Sequence, residues 1–220
     1  MKTTGYALRP RLYTGDTSPP SSLEDLSRYK NDGTFVNSPT WIRLPTGLWV
    51  NNFVGGSTQY ISIPDALSLK IINNLTILAW IKTTSTTTTQ FIFEKQLARE
   101  YGAYIYSDER LIFNHGDGSG EDMNFTGYFT SVGDDNWVFI SIVRDLANTN
   151  VLSYKNGLHF LTVSSAKTPV VGTNAVRWGA SAGASYPFTG DMWGQRILNI
   201  QLSADQIYNI FQKERGWFGV

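Results

Sequence analysis

Tyr104, Tyr106, Asn114, His115 and Asp122 are the side chains whose types and spacing best suit chemistry, and that chemistry is recognition of a sugar. Tyr104 and Tyr106 are two apart, so a strand carrying them presents both on one face. A pyranose offers apolar C–H patches and hydroxyls together. A surface that holds one therefore combines flat aromatic faces with amide and carboxylate groups, which Asn114, His115 and Asp122 supply. Tyr128, Trp178, Tyr186 and Trp193 fall near other strand ends or loops. The plainer alternative is that all these aromatics fill the core.

Catalytic and metal chemistry find less support. Hydrolysis of a glycosidic bond takes a pair of carboxylates across a cleft. The chain has six Glu in all, and Glu121-Asp122 lies in a turn-rich stretch where neighbouring side chains diverge. His115 and His159 are far apart, with no Asp-His-Ser order to suggest a nucleophile. His159 falls in a strand pattern, as a structural residue would. The loop "HGDGSGED" places Asp117, Ser119 and Glu121 like the start of a calcium loop, but Asp122 stands where that loop needs Gly. No metal and no cofactor are expected.

The elements that must position these residues are short strands. From Trp41 onward, apolar runs alternate with turn clusters: "GLWVNNFV", "QYISIP", "LTILAWIK", "QFIFEK", "GAYIYS", "RLIFNH", "GYFTSV", "WVFISIV", "VLSYK", "HFLTV" and "AVRWGA". "SDER", "NHGDGSGED" and "SVGDDN" punctuate them, and "TTSTTTT" at 83–89 suits an exposed loop. Around Trp137, Val138, Ile140 and Ile142 share one side of a strand, with Phe139, Ser141 and Val143 on the other. Asn156-Gly157 supplies the positive φ angles of a tight hairpin. Ser22 suits the cap of a short helical turn running into Leu26. Ser203 with Gln206 forms a capping box for a late helix whose Ile207, Ile210 and Phe211 share a face, and Gly216 suits its stop. The fold expected is all-β, a two-sheet antiparallel jelly-roll sandwich with one short C-terminal helix. Trp80 and Trp137 belong to its core.

Composition narrows the partners. The 220 residues carry 18 basic and 18 acidic side chains, so no basic excess is available to hold a phosphate backbone, and nucleic acid is not expected. Cysteine is absent, which leaves the compartment open. "MKTTGYALRPRLYTG" has no apolar core of a secretory signal, and no apolar run reaches the roughly 20 residues of a membrane span, so no membrane insertion is expected.

Five segments in order resemble the laminin-G-like branch of the concanavalin A-like lectin/glucanase jelly rolls. They are "SRYKNDGT", "VNNFVGGSTQYISIP", "LSLKIINNLTILAWIK", Trp137 with "VFISIVRD" and "LSYKNGLHF", and "FTGDMWGQRILNIQLSADQIYNIF". The resemblance implies an N-terminal extended arm over 1–25, a jelly roll over 26–215 and a tail over 216–220. Relatives that hold calcium place acids where this chain has Val54 and Trp193, so the resemblance does not carry a calcium site across. Nor does any Glu fit the Glu-x-Asp-x-x-Glu strand of the family's hydrolases.

The expectation is therefore a non-catalytic lectin-like binding or structural protein. Its first version is a subunit of a large assembly, such as a virion surface protein in capsid decoration or tail adhesion. The partners would then be other subunits and a cell-surface glycan, at a virion or extracellular surface reached without a cleaved signal peptide. The alternatives are a carbohydrate-binding module of a secreted protein and a glycan-cleaving enzyme. The apolar tail "GWFGV" either folds back over the sandwich or meets a partner through Trp217, Phe218 and Val220.

Overall fold

A computed structural model of the chain describes residues 5–55, 58–83, 88–129 and 136–220. Their strands pair antiparallel in two eight-stranded sheets. The first sheet runs β14 (Leu158–Ser164), β13 (Asn150–Lys155), β12 (Val138–Asp145), β7 (Leu75–Thr83), β16 (Gly190–Leu198), β5 (Trp49–Phe53) and β4 (Thr40–Arg43), with β1 (Tyr6–Leu8) also paired to β16. The second runs β11 (Gly120–Phe125), β10 (Leu111–Gly116), β9 (Gly102–Ile105), β8 (Gln90–Glu94), β15 (Val176–Trp178), β6 (Tyr60–Ile63), β3 (Gly33–Val36) and β2 (Ser22–Leu23). This is the jelly-roll sandwich that the period-two pattern implies.

The first sheet is buried on both faces, which explains why its central strands carry so little polarity. Leu75, Ile77, Ala79 and Ile81 of β7 join Ile140 and Ile142 of β12 in the core between the sheets. The intervening Leu78 and Trp80 join Phe139 and Val143 in a second core on the opposite face. Trp137 and Trp80 both lie in that second core, under the helix. The helix, α1 (Ala204–Glu214), covers it with Ile207, Ile210 and Phe211. Ser203 and Gln206 close the capping box at its start. After Glu214 the chain continues as a 3-10 turn over Arg215–Trp217, so Gly216 lies inside that turn and does not end the helix. The turn carries Phe218 back onto Trp80, with ring centroids 4.1 Å apart.

Local chemistry fixes the rest of the frame. Asn156 and Gly157, with φ of 51° and 79°, form the two-residue turn between β13 and β14. The Asn156 Oδ1 also accepts the Phe139 N–H at 2.9 Å. Arg144 lies buried at the end of β12, where its guanidinium donates to the carbonyls of Asn73, Glu100 and Ile71. Burial pushes its pKa down to about 10, and those three carbonyls hold the charge in place. Lys95, also buried, pairs with Glu100 at 2.8 Å and Asp65 at 2.6 Å. Residues 5–25 run along the sandwich: β1 pairs with β16, the Arg9 N–H donates to Asp25, and Thr14 bridges to Leu48.

Some expected elements differ. Ser22 caps no helical turn; it belongs to β2, whose pairing with β3 buries Leu23. "NHGDGSGED" is not a loop throughout, since β10 and β11 pair up to Gly116 and Gly120 and leave three residues at the turn. Within "GYFTSV", residues 127–129 form a turn whose Tyr128 and Phe129 are buried, and 130–132 lie outside the described residues. Most of the "TTSTTTT" and "SVGDDN" loops, at 84–87 and 131–135, also lies outside them.

The stack of Phe218 on Trp80 makes the tail part of the second core. Phe218→Ala should lower the unfolding free energy by about 3–5 kcal/mol, the usual range for a buried aromatic truncated to Ala. Urea denaturation measures it. A wild-type midpoint would mean that the tail is not structural.

Candidate functional site

The second sheet turns one face to the core, and loop residues such as Leu97 bury much of the other over β8, β9 and β10. Strand register arranges that outer face in rows. In one row Asn124, Ile112, Tyr104 and Phe91 lie side by side across β11, β10, β9 and β8. Phe91, Tyr104 and Ile112 form their own cluster, apart from both cores. Phe91 stacks on Tyr104 at 4.8 Å, and Tyr186 leans on Phe91 at 6.0 Å.

A polar row runs beside it. Asp122, Asn114, Gly102, Glu94, Arg177 and Ser62 are successive register partners, and Thr34 and Ser22 extend the row to β2. Asn114 donates to Asp122 at 2.6 Å, and its own carbonyl accepts the Ala98 N–H at 2.6 Å. Glu94 accepts the N–H groups of Leu97 and Ala182. The position of Gly102 is filled from above by Leu97, whose Cδ1 lies 2.7 Å from where a Cβ would stand. Arg177 lies over the Tyr60 ring. At the far end Arg110 crosses the Tyr106 ring at 5.0 Å, pairs with Asp108 and donates to Asn124. Burial and the Asp122 carboxylate push the Tyr104 phenol well up, so it acts as a hydrogen-bonding hydroxyl.

Tyr104, Tyr106, Asn114 and Asp122 thus share this face. Tyr106 and Asp122 are exposed, whereas Tyr104 and Asn114 are packed beneath their neighbours. His115 is not part of it. As the residue after Asn114, it points to the core, where its ring meets Phe113 edge-on. Its Nε2 lies 2.5 Å from the Ser165 hydroxyl, which donates to Glu121 at 2.9 Å. The buried Nδ1 has no hydrogen-bond partner among the described residues, so no carboxylate orients the ring from behind as the base of a serine nucleophile would require. Glu121 also accepts the N–H groups of Ala166 and Lys167, while the adjacent Asp122 faces outward. Tyr186 is among the aromatics named from the sequence; Arg110, Asn124 and Glu94 are not, although Arg110 and Asn124 have the strand parity of Ile112 and Asn114.

The tail folds back over the sandwich. Phe218 is buried, and Trp217 and Val220 pack partly buried against the second core. Val54 and Trp193 stand as a 55% exposed side chain on the strand end and a ring tilted over Phe218. Among the described residues no three His, Asp or Glu side chains gather as a metal site would require. No helix there is long and apolar enough to cross a membrane.

Comparison with known proteins agrees with this architecture. A laminin-G-type model of the concanavalin A-like lectin/glucanases superfamily matches residues 55–208. The binding domain of Paraclostridial Mosquitocidal Protein 1 superposes with a TM-score of 0.75 at 11% identity, over 98% of this chain and 55% of that one. The binding domain of botulinum neurotoxin DC, solved in complex with SialylT, does so with 0.70 at 15% identity, over 96% and 52%. A structure of botulinum neurotoxin type C, whose cell entry depends on two ganglioside molecules, gives 0.66 at 14%, over 93% and 51%. At such identities the likeness concerns the fold, and the chain spans about half the length of these structures. No curated protein sequence matches it.

Burial, reinforced by the Arg144 charge, pushes the His115 pKa down from 6.5 to about 4. Between those values the unfolded chain binds the extra proton, so stability rises with pH there. His115 therefore contributes its full share above about pH 6.5, and loses about 1.4 kcal/mol per unit as pH falls toward 4. An NMR titration of its ring protons should show a midpoint near 4. A midpoint at 6 or above would mean that water reaches the ring.

Proposed function

The chain belongs to the concanavalin A-like lectin/glucanases superfamily, and from that premise we propose that it is a non-catalytic, lectin-like module that binds glycan on the outer face of its second sheet. The observation that carries this reading is the exposure of Tyr106 and Tyr186 at the margins of the buried Phe91–Tyr104 stack, beside polar side chains. Exposed Tyr106 and Tyr186 offer flat faces for the apolar side of a sugar ring. Asp122, Asn124 and Arg110 stand ready for its hydroxyls. The two similar toxin structures solved or studied with SialylT and gangliosides support a glycan as the partner, at an extracellular surface. Because the chain spans only half of them, their contacts are not carried over residue by residue.

Two groups argue against catalysis on this face. Asp122 is held by Asn114, and Glu94 is held by two backbone N–H groups. Both carboxylates already accept donors within the fold, and neither faces a second carboxylate across a cleft as glycoside hydrolysis requires. The test is a glycan array followed by calorimetry on the best binder. Tyr106→Ala and Asp122→Asn should each weaken binding at least tenfold, about 1.4 kcal/mol. Unchanged affinity in both variants would overturn the site. New reducing ends, lost with one carboxylate substitution, would overturn the non-catalytic reading.

A second reading, a subunit of a large assembly such as a virion surface, is favoured by β14. This edge strand of the first sheet exposes Leu158 and Leu161 and offers unpaired backbone groups along one side. Light scattering over a concentration series tests it: assembly that disappears with Leu161→Lys supports this reading, and a monomer throughout refutes self-assembly.

A further inference from the structure

On the helix-covered side of the first sheet, away from the glycan face, a groove of about 260 Å³ runs between the N-terminal segment, β16 and α1. Its walls include the rings of Tyr6, Trp193 and Trp217, all partly buried. Its charges are unevenly matched. Glu214 is consumed: Arg196 grips both its oxygens, at 2.6 and 2.8 Å, and the Trp80 indole N–H donates to it at 2.9 Å. Arg11 is likewise paired, with Glu24. Arg9 and Lys213 also line the groove, and among the described residues neither makes an ion pair within 4.0 Å, the groove's own carboxylate, Glu214, being held by Arg196. Arg9 instead lies over the Tyr6 ring at 5.6 Å.

The groove therefore joins aromatic walls to two unneutralised cations. A bare phosphate would satisfy the cations and leave the indoles wet. A neutral sugar would cover the indoles and leave the cations unmatched. A ligand that meets both demands has an apolar ring face and a carboxylate on one body. We infer that this groove is a second, separate site that takes the carboxylate-bearing end of an acidic sugar. The pyranose face lies against Trp193 and Trp217, and the carboxylate meets Arg9 and Lys213. With exposed cations, its affinity depends strongly on salt.

Calorimetry of the full chain with sialyllactose, its carboxylate methyl ester and lactose tests the inference. Sialyllactose should bind at least tenfold tighter than the ester or lactose, and the gap should narrow in high salt. The double variant Arg9→Gln/Lys213→Gln should close the gap while keeping the wild-type melting temperature, since both side chains are exposed. Tyr106→Ala should leave the gap intact, which separates this site from the sheet face. Equal affinity for acid and ester would overturn the inference. So would a gap that survives the double variant, or binding to phosphatidylserine vesicles without binding to sialyllactose.

Discussion

The carboxylate of Glu214 ties together three elements that packing alone would only place near one another. It lies on α1, its guanidinium partner Arg196 lies on β16, and the indole N–H it accepts comes from Trp80 on β7. The first sheet needs this tie because its far face is as apolar as its core face, so it must be covered over its centre. Arg196 is itself buried, and removing its partner would leave a charge with no compensation, at a cost of about 3–5 kcal/mol. The docked helix in turn positions the Phe218 stack and forms one wall of the groove by the N-terminal segment.

The asymmetry between the sheets is also what made one readable and the other less so. β7 and β12 each carry apolar residues on both sides of the strand, and their alternation assigns residues to two cores with no need of tertiary information. The Ser203–Gln206 box and the Asn156-Gly157 turn are local devices whose chemistry sits in adjacent residues. Each appears where its residue types require it. The placement of Trp80 and Trp137 in a core was legible; that this core lies under the helix and not between the sheets was not.

β11 was hidden for a physical reason. "GEDMNF" has a polar outer side, and its other side carries Glu121 as well as Met123 and Phe125, so its composition matches a loop. Its strand character comes from register with β10, a non-local contact. The misplacement of His115 is different, because parity was available: Asn114 and His115 are adjacent in one strand and must face opposite sides. Ser22 shows a third kind of limit. A hydroxyl before Leu23 and Glu24 fits a helix cap, and only the distant Gly33 and Thr34, by pairing with it, decide for a strand.

The polar row on the second sheet has a dimension as well as a chemistry. It crosses eight strands, and with neighbours about 4.8 Å apart it measures roughly 34 Å from Asp122 to Ser22. It is not open along that length: Asn114, Gly102 and Glu94 are buried, and Leu97 lies over Gly102. Solvent reaches the row fully at Asp122 near one end and at Thr34 near the other. The row is therefore two separate landings joined by a covered span, and a molecule that touched both would have to arch over the loop between them.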